Sequence, residues 1–469
     1  MKNFFSKAIF IAAIILAIQP SGAKADEFSA DSIKSLMHKV SNYRLKSGVQ
    51  KIDNNWDGGA YFSGIMGLYQ TTKEQKYLDS ATAWGNYYNW TPYNGVNTTV
   101  GDNQCCEQTY CEIYALNPTT ANSKMITTVQ ANLVNEFDKV RTAHTNVWTW
   151  CDLCYMSPPA IARFATVSNQ PRFLDTMDLC WWGTSKMLYD STHHLWFRDG
   201  SYINQKTSNG NPVFWSCGDA WVLGGMARVM EYMPKTYATR AKWEKQFVDV
   251  CTAVKAQQGS TLYPGLWTTS LLDHQQYPDP ECSGSAFFCF AMMWGVNNAV
   301  LDSTAFLPCI KKAWTDLVAN VNTDGKLLRC QVPSAAPANI PVNPSNNLGE
   351  GEGAFLLSGE ELVKWSQKST AISAAPAGAG LKRDNLPLMS VTTSGISFFL
   401  SDPRKATLKI FDLKGVLIAD LRGALARLQP GNASFTWKAL GISNRFFVVK
   451  LFDGNEELTS HVVMRLSVR

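Results

Sequence analysis

Apolar residues recur at helical spacing through most of the chain, and this pattern limits the possible fold more than any other feature of the sequence. Between about residue 30 and residue 366 they return every three or four positions, in segments separated by Gly, Pro and Asn. The pattern predicts about twelve helices, near 30–46, 60–71, 74–90, 103–116, 124–140, 152–167, 171–190, 218–232, 236–258, 284–298, 304–320 and 351–366. This number of helices favours helical hairpins arranged in a ring, with alternate helices inside.

The composition changes after Trp365. The next twenty or so residues are rich in Ala, Gly, Ser and Lys and lack apolar periodicity, which is typical of a linker. Beyond them, β-rich stretches are divided by Gly, Asp-Gly and Pro-Gly turns, near 396–400, 406–411, 416–421, 433–437, 445–452 and 461–466. We therefore predict a helical domain at 26–366, a linker at 367–388 and a small β-sandwich at 389–469.

Residues 1–25 have the pattern of a secretory signal peptide. Lys2 and Lys7 precede an apolar run at 8–18, and the small-residue sequence AKA follows at 23–25. No later segment reaches about 18 uninterrupted apolar residues, so we expect no membrane span. The sequence thus predicts a secreted, periplasmic or cell-surface protein.

The formal charge of +5 is spread along the chain without a Lys/Arg block, so nucleic acid is not an expected partner. All twelve cysteines lie between Cys105 and Cys330, and an even number in an exported protein favours several disulfides, whose pairing stays open. Cys151 and Cys154 form a C-x-x-C pair, better explained by a disulfide or by two apolar fillers than by zinc. The six histidines show no metal-ligand spacing, and we expect no metal.

Two aspartates carry the chemistry. Asp152 lies within WTWCDLCYMSPP at 148–159, and Asp102 lies within GDNQCCEQTY at 101–110. Aromatic and sulfur neighbours desolvate a carboxylate and raise its pKa, and a second nearby acid separates the two titrations, which gives one proton donor and one charged group. This arrangement suits a sugar-cleaving site. The alternative is that both aspartates are helix caps.

Loops rich in Trp, Tyr, Gly and Asp, such as those at 53–57, 211–221 and 277–284, favour a carbohydrate ligand, because flat aromatic faces stack on sugar rings. The alternative is that these tryptophans only pack between helical hairpins.

Six ordered motifs resemble glycoside hydrolase families 105 and 88, the unsaturated rhamnogalacturonyl and unsaturated glucuronyl hydrolases. They are GDNQ to QTY at 101–110, WCDLCYMSPP at 150–159, LWFRD at 195–199, VFWSCGDAWV at 213–222, GLWTTSLLD at 265–273, and PECSGSAFF at 280–288 followed by WGVNN at 294–298.

The resemblance implies an all-α (α/α)6 barrel and hydration of the C4=C5 double bond that lyases leave on pectin and related uronic-acid polymers. It implies that Asp152 protonates C4 and activates the water that adds at C5, with Asp102 as its charged partner and no cofactor. We expect burial against Trp150 and Tyr155 to raise the pKa of Asp152. The candidate substrate-binding residues are Trp56, Trp148, Arg198, Trp215, Trp221, Asp219 and Glu281.

The chain departs from the family pattern at several positions. Cys217 stands where the family has a substrate-binding arginine, and Asp219 stands where it has a side-chain amide. Asn103 replaces the second Asp of the usual pair, and Glu107 replaces a glycine. Either another group such as Arg198 holds the acid group of the substrate, the preferred sugar differs, or activity is lost.

The C-terminal stretch loosely resembles the sorting or anchoring β-modules of secreted polysaccharide-degrading enzymes, which implies the cell surface or the secretion machinery as a partner. A carbohydrate-binding module is the competing interpretation.

For the whole chain, two alternatives to the unsaturated uronyl hydrolase stay open: an (α/α)6 glycosidase acting on saturated sugars, and a catalytically silent carbohydrate-binding protein.

Overall fold

The computed structural model describes residues 26–96, 99–143, 148–332, 342–374, 389–391, 395–400, 405–411, 416–426, 431–436, 446–453 and 456–464. The chain divides into two compact units, Met1–Ser366 and Gln367–Arg469. The predicted signal peptide at 1–25 lies outside the described residues, and so does the linker segment 375–388.

The helices of the first unit account for most of the described chain, which confirms the mostly helical prediction. In order they are α1 (Ala30–Leu45), α2 (Trp56–Thr72), α3 (Gln75–Tyr87), α4 (Gly101–Gln104), α5 (Glu107–Leu116), α6 (Lys124–Asn132), α7 (Asp138–Ala143), α8 (Leu153–Met156), α9 (Pro158–Val167), α10 (Pro171–Leu188), α11 (Ser216–Tyr232), α12 (Arg240–Ala256), α13 (Cys282–Asn297), α14 (Ser303–Ala319) and α15 (Gly349–Ala374). Helix α15 continues to Ala374, so the beginning of the predicted linker is helical. Among the described residues, no helix combines the length and the apolar run needed to cross a bilayer.

Six of these helices contact one another in a closed cycle, and we call them the inner helices: α2, α5, α9, α11, α13 and α15. Consecutive members from α2 to α13 are in contact. The hydroxyl of Ser358 on α15 donates to the Ala286 carbonyl on α13 at 2.7 Å. A Cβ atom on Gly353 of α15 would lie 2.2 Å from the Ala60 carbonyl oxygen of α2, so α15 and α2 also touch.

The other long helices, α1, α3, α6, α10, α12 and α14, each contact an inner helix from outside the cycle. The connections from an inner helix to the next outer helix are short, whereas those returning to an inner helix are longer. Because short connections join antiparallel neighbours, the inner helices run in one direction and begin at the same end. The long loops therefore gather at the N-terminal ends of the inner helices, where binding residues commonly lie.

Burial follows the same division. Every residue from Ser216 to Met230 of α11 and from Cys282 to Gly295 of α13 is buried, as expected for helices enclosed on all sides. Glycine permits the closest approach between helices: a Cβ on Gly225 of α11 would lie 2.1 Å from the Cys154 carbonyl oxygen of α8.

All twelve cysteines are buried and unpaired, so the structure does not contain the disulfides expected from the even count. Their thiols contact other groups instead. The Cys106 thiol donates to the Asn103 carbonyl, whereas the Gln108 amide donates to Cys105 Sγ, so these adjacent cysteines face different partners. The cysteines, including Cys151 and Cys154, serve as small apolar fillers of the helical core.

The second unit contains small antiparallel sheets. After the short strands β1 (Tyr189–Asp190), β2 (Leu195–Trp196), β3 (Trp267–Thr268) and β4 (Pro280–Glu281) of the first unit come β5 (Met389–Val391), β6 (Gly395–Leu400), β7 (Ala406–Phe411), β8 (Leu417–Asp420), α16 (Arg422–Leu425), β9 (Gly431–Thr436), β10 (Phe446–Asp453) and β11 (Glu456–Met464). One sheet has the order β11-β10-β7-β8, and the other has the order β5-β6-β9. Val449 of β10 pairs with Ile410 on one side and with His461 on the other.

Candidate active site

Asp102 and Asp152 both lie where the chain enters an inner helix. Asp102 is in α4, which leads into α5, and Asp152 immediately precedes α8, which leads into α9. Neither side chain caps a helix: Asp152 occupies the N-cap position of α8 without a side-chain cap hydrogen bond, and the N-cap residue of α4 is Val100. Capping therefore does not explain either aspartate.

Hydrogen bonds tie the segment of Asp102 to the segment of Asp152. The Gln108 side-chain amide donates to the Tyr155 carbonyl at 2.9 Å, and the Ser157 hydroxyl donates to Gln104 Oε1 at 2.5 Å. All four groups are buried, so these bonds are protected from water. The two aspartates are thus held on one rigid frame.

A buried network of ion pairs and hydrogen bonds also contacts the segment that carries Asp102. Arg228 of α11 donates to Gln108 Oε1 at 2.7 Å and to Glu112 Oε1 at 2.8 Å. Arg163 of α9 donates to the same Glu112 oxygen at 2.6 Å. Although burial alone would raise the pKa of Glu112, the two guanidinium groups hold it below its usual value. The network joins three inner helices through one ionised carboxylate.

Burial raises the pKa of both aspartates, and the positive charge of Arg198 opposes both shifts. Burial raises the pKa of Asp152 to about 6, against the opposing charge of Arg198, and the charge of Asp102 adds to the rise. Burial also raises the pKa of Asp102, and Arg198 opposes that shift as well. Asp102, Asp152 and Arg198 therefore lie within electrostatic reach of one another, and Asp152 is protonated in mildly acidic solution.

Arg198 and Trp150 contact each other close to Asp152. The Arg198 guanidinium carbon lies 4.9 Å from the centre of the Trp150 ring, and the Cys151 N–H donates to the Arg198 carbonyl at 2.8 Å. Trp150 is 42% exposed and stands two positions before the acid. Sequence reasoning used Trp150 only as a desolvating neighbour and chose Trp148 as a sugar-binding residue. The position of Trp150 at the start of the WCDLCYMSPP motif is the sequence feature that could have identified it as a candidate binding residue.

Three further tryptophans of the sequence prediction lie at the N-terminal ends of inner helices. Trp56, partly buried at the start of α2, meets Trp221 of α11 edge to face, with ring centres 6.2 Å apart. Trp221 also packs against Tyr155, at 5.1 Å. Trp215 is buried at the N-cap of α11, where its indole N–H donates to Gln331 Oε1 at 2.6 Å. Trp56 is the member of this group with surface left for a ligand.

The remaining predicted binding residues are enclosed by the protein. Trp148 is fully buried, packs against Phe137 with ring centres 6.1 Å apart, and accepts a hydrogen bond from Thr184 at its carbonyl. Glu281 is fully buried at the N-cap of α13 and accepts the backbone N–H groups of Ser283 and Gly284. Both residues contribute packing and capping in this structure, because a fully buried side chain presents no face to a ligand.

Asp219 is also fully buried, and burial raises its pKa well above the usual value. One of its oxygens accepts the Trp196 N–H at 2.9 Å, while the other, Oδ2, has no hydrogen-bond partner among the described residues. A neutral carboxylic acid has nearly the shape of a carboxamide. Asp219 can therefore substitute for the family's amide without placing a charge in the core.

The other departures from the family pattern also place neutral groups in the interior. Cys217 is buried in the first turn of α11, where burial and then the acids Glu281, Glu350 and Asp152 raise its pKa, so the thiol is uncharged. Glu107 is fully buried with a pKa raised to about 8, and neither of its oxygens has a hydrogen-bond partner within the described part of the chain. Among the described residues, His, Cys, Asp and Glu form no group of three or more that could hold a metal ion.

Comparison with known proteins identifies the family of the helical unit. The sequence profile of Glycosyl Hydrolase Family 88 matches residues 29–366. An unsaturated 3S-rhamnoglycuronyl hydrolase from Formosa agariphila is 31% identical over 323 residues, which cover 66% of this chain and 84% of that protein. A protein of the same description from an Alteromonas species is 30% identical over 220 residues, covering 47% of this chain and 52% of that one.

Among solved structures, a polysaccharide lyase has a TM-score of 0.66 and 30% identity over 72% of this chain and 98% of its own. A family 88 glycosyl hydrolase from Bacteroides vulgatus has the same TM-score with 26% identity, over 72% of this chain and 99% of its own. Because the family profile spans the helical unit that carries both aspartates, the chain belongs to glycosyl hydrolase family 88 and is a glycoside hydrolase.

Proposed function

We propose that this enzyme removes a 4,5-unsaturated uronyl residue from the non-reducing end of lyase-generated oligosaccharides by hydrating the C4=C5 double bond. The observation that carries the proposal is the pairing of Asp152, with a pKa of about 6, and Asp102 on one cross-linked frame. The relatives from Formosa and Alteromonas, both described as unsaturated 3S-rhamnoglycuronyl hydrolases, support the same reaction class.

In the proposed reaction, protonated Asp152 donates its proton to C4 of the vinyl ether. Positive charge then develops on C5 and the ring oxygen, and ionised Asp102 stabilises it. The Asp152 carboxylate takes a proton from the water that adds at C5, which restores the acid. The product is a hemiketal at C5, which opens and releases the remaining sugar.

The cycle of inner helices supports an (α/α)6 barrel as the fold of the helical unit, with the site at the end where the six inner helices begin. Helix N-termini carry partial positive charge, and their convergence favours an anionic substrate such as a uronate.

We further propose that residues 1–25 direct export and that the C-terminal unit is a β-sandwich used for sorting or anchoring. N-terminal sequencing of exported protein would test the first point, with Asp26 as the expected first residue.

The test is turnover of a panel of lyase-generated oligosaccharides, including one with a rhamnose next to the unsaturated uronate, followed at the ultraviolet absorbance of the double bond. Hydration destroys this chromophore, so the absorbance should fall. We expect Asp152→Asn to lower kcat by about 10²- to 10⁴-fold, because general acid–base catalysis contributes that much. Asp249→Asn, on the outer helix α12 and paired with Lys245, is the matched control and should keep full activity.

The alternatives give different results in this assay. A rise in absorbance would indicate elimination, the reaction of a polysaccharide lyase, and would contradict the proposal. Release of sugar from saturated oligosaccharides at constant absorbance would indicate an ordinary glycosidase. Binding without turnover on every member of the panel would indicate a silent carbohydrate-binding protein.

A further inference from the structure

The position where the family places a substrate-binding arginine cannot hold an anion in this protein. Cys217 is buried, and the charged neighbours that act on it, Glu281, Glu350 and Asp152, are acids. An arginine fork binds a carboxylate through paired, charge-assisted hydrogen bonds, whereas an uncharged thiol beside acids offers none. A uronate carboxylate must therefore be bound at a different place.

Arg198 has the chemistry and the location for this task. Its side chain is mostly buried, and Asp199 accepts a hydrogen bond from its terminal Nη1. The other Asp199 oxygen accepts the backbone N–H of Ser201 at 2.8 Å and its hydroxyl at 2.6 Å, so Asp199 is itself fixed. The Arg198 guanidinium is thus held in one orientation before any ligand arrives.

One donor of this guanidinium is available. Arg198 Nε is buried, and it has no hydrogen-bond partner among the described residues. The Arg198 side chain remains 18% exposed, so an anion can reach the guanidinium, and an unsatisfied buried donor favours that contact. On one side the guanidinium lies over the exposed ring of Trp150, and both groups lie beside Asp152 through the bond between the Cys151 N–H and the Arg198 carbonyl.

We propose that Arg198 binds the carboxylate of the unsaturated uronate, with Trp150 as the adjoining stacking surface, and that this pair replaces the arginine missing at position 217. The inference rests on the proposed function and specifies its substrate contact. In a 4,5-unsaturated uronate, C5 carries the carboxylate, so a carboxylate held at Arg198 brings C5 and C4 toward Asp152 and Asp102. The same contact that recognises the acid positions the double bond.

The test compares an unsaturated uronyl disaccharide with its methyl ester, which keeps the double bond but removes the negative charge. Binding is measured by calorimetry in the Asp152→Asn background, which prevents turnover. We expect the acid to bind more tightly than the ester by about ten- to a hundred-fold, as for a charge-assisted hydrogen bond, and Arg198→Gln to abolish this preference. Arg198→Lys keeps the charge without the fork and should restore part of it.

Arg172→Gln is the matched control, because Arg172 also lies over an aromatic ring, that of Phe173, and pairs with an aspartate, Asp138. It should leave the preference for the acid unchanged. A preference for the acid that survives Arg198→Gln would overturn the assignment of Arg198, whatever the turnover assay shows. Failure of wild-type enzyme to consume any double bond would instead contradict the proposed function, while the binding comparison would still decide the role of Arg198.

Discussion

Trp56 meets Trp221 edge to face, with ring centres 6.2 Å apart and planes at 89°. Trp56 begins α2 and Trp221 lies in the second turn of α11, and they differ in burial, because Trp56 keeps exposed surface while Trp221 is only 3% exposed. One indole therefore supports the other, and the outer indole is the one that can meet a sugar.

Replacing these two tryptophans should separate binding from stability. We expect Trp56→Ala to raise KM by up to about ten-fold, as loss of an aromatic contact would, with little change in the melting temperature. Trp221→Ala should instead lower the free energy of unfolding by about 3–5 kcal/mol, because it empties a core position. Steady-state kinetics and chemical denaturation of both variants provide the measurement. An unchanged KM in Trp56→Ala would remove this residue from the binding surface.

The alkaline side of the pH–activity profile should move in opposite directions in two variants. Activity requires protonated Asp152 and should decline as pH rises through about 6. The charge of Asp102 raises the pKa of Asp152, so Asp102→Asn should shift this decline to lower pH and reduce kcat by roughly 10²- to 10³-fold. The charge of Arg198 lowers that pKa, so Arg198→Gln should shift the decline to higher pH. Profiles of kcat/KM that do not move would show that Asp152 is not the titrating acid.

Asp219→Asn should be more stable than the wild type at neutral and alkaline pH. Burial raises the folded-state pKa of Asp219 above its unfolded value, so the folded state binds the proton more tightly and stability falls as pH rises above the unfolded pKa of about 3.9. The amide does not titrate, and the difference should vanish below pH of about 4. Urea denaturation at acidic and alkaline pH measures it. Equal effects at both pH values would mean that Asp219 is not protonated in the folded enzyme.

Gly225→Ala should be strongly destabilising, because the added Cβ would lie 2.1 Å from the Cys154 carbonyl oxygen and would force α11 away from α8. We expect a loss of about 1–3 kcal/mol in the free energy of unfolding. Gly200→Ala is the control, since no heavy atom lies within 4 Å of a Cβ at that position. Similar denaturation curves for the two variants would show that this helix contact can relax.

Thiol titration should find all twelve cysteines reduced in the unfolded enzyme. In the native enzyme their reaction should be slow, because every thiol is buried. A reducing agent should leave the melting temperature unchanged, since removing a native disulfide would typically cost about 2–5 kcal/mol. Fewer than the full number of thiols in denaturant without reductant would reveal a disulfide that the structure lacks.

Much of the fold follows from the sequence. Apolar spacing predicted each long helix, because a helix buried on one or all faces must repeat apolar residues every three to four positions. Local sequence patterns gave wrong predictions where contacts between distant parts of the chain determine the structure. Helix α15 continues beyond Trp365 to Ala374, although its last residues lack the apolar pattern. The even number of cysteines predicted disulfides, but pairing depends on distances between helices that sequence does not contain.

At the candidate site, motif and composition were enough to select the two aspartates and their desolvating neighbours, because both are local properties of the sequence. Which aromatic residues face outward depends on how the helices pack: Trp148 is enclosed and Trp150 is exposed, although the two stand two positions apart. Helix packing also buries the acid Asp219 and brings Arg198 within electrostatic reach of both aspartates. Burial and electrostatic reach depend on which helices meet in space, and that information is spread over the whole chain.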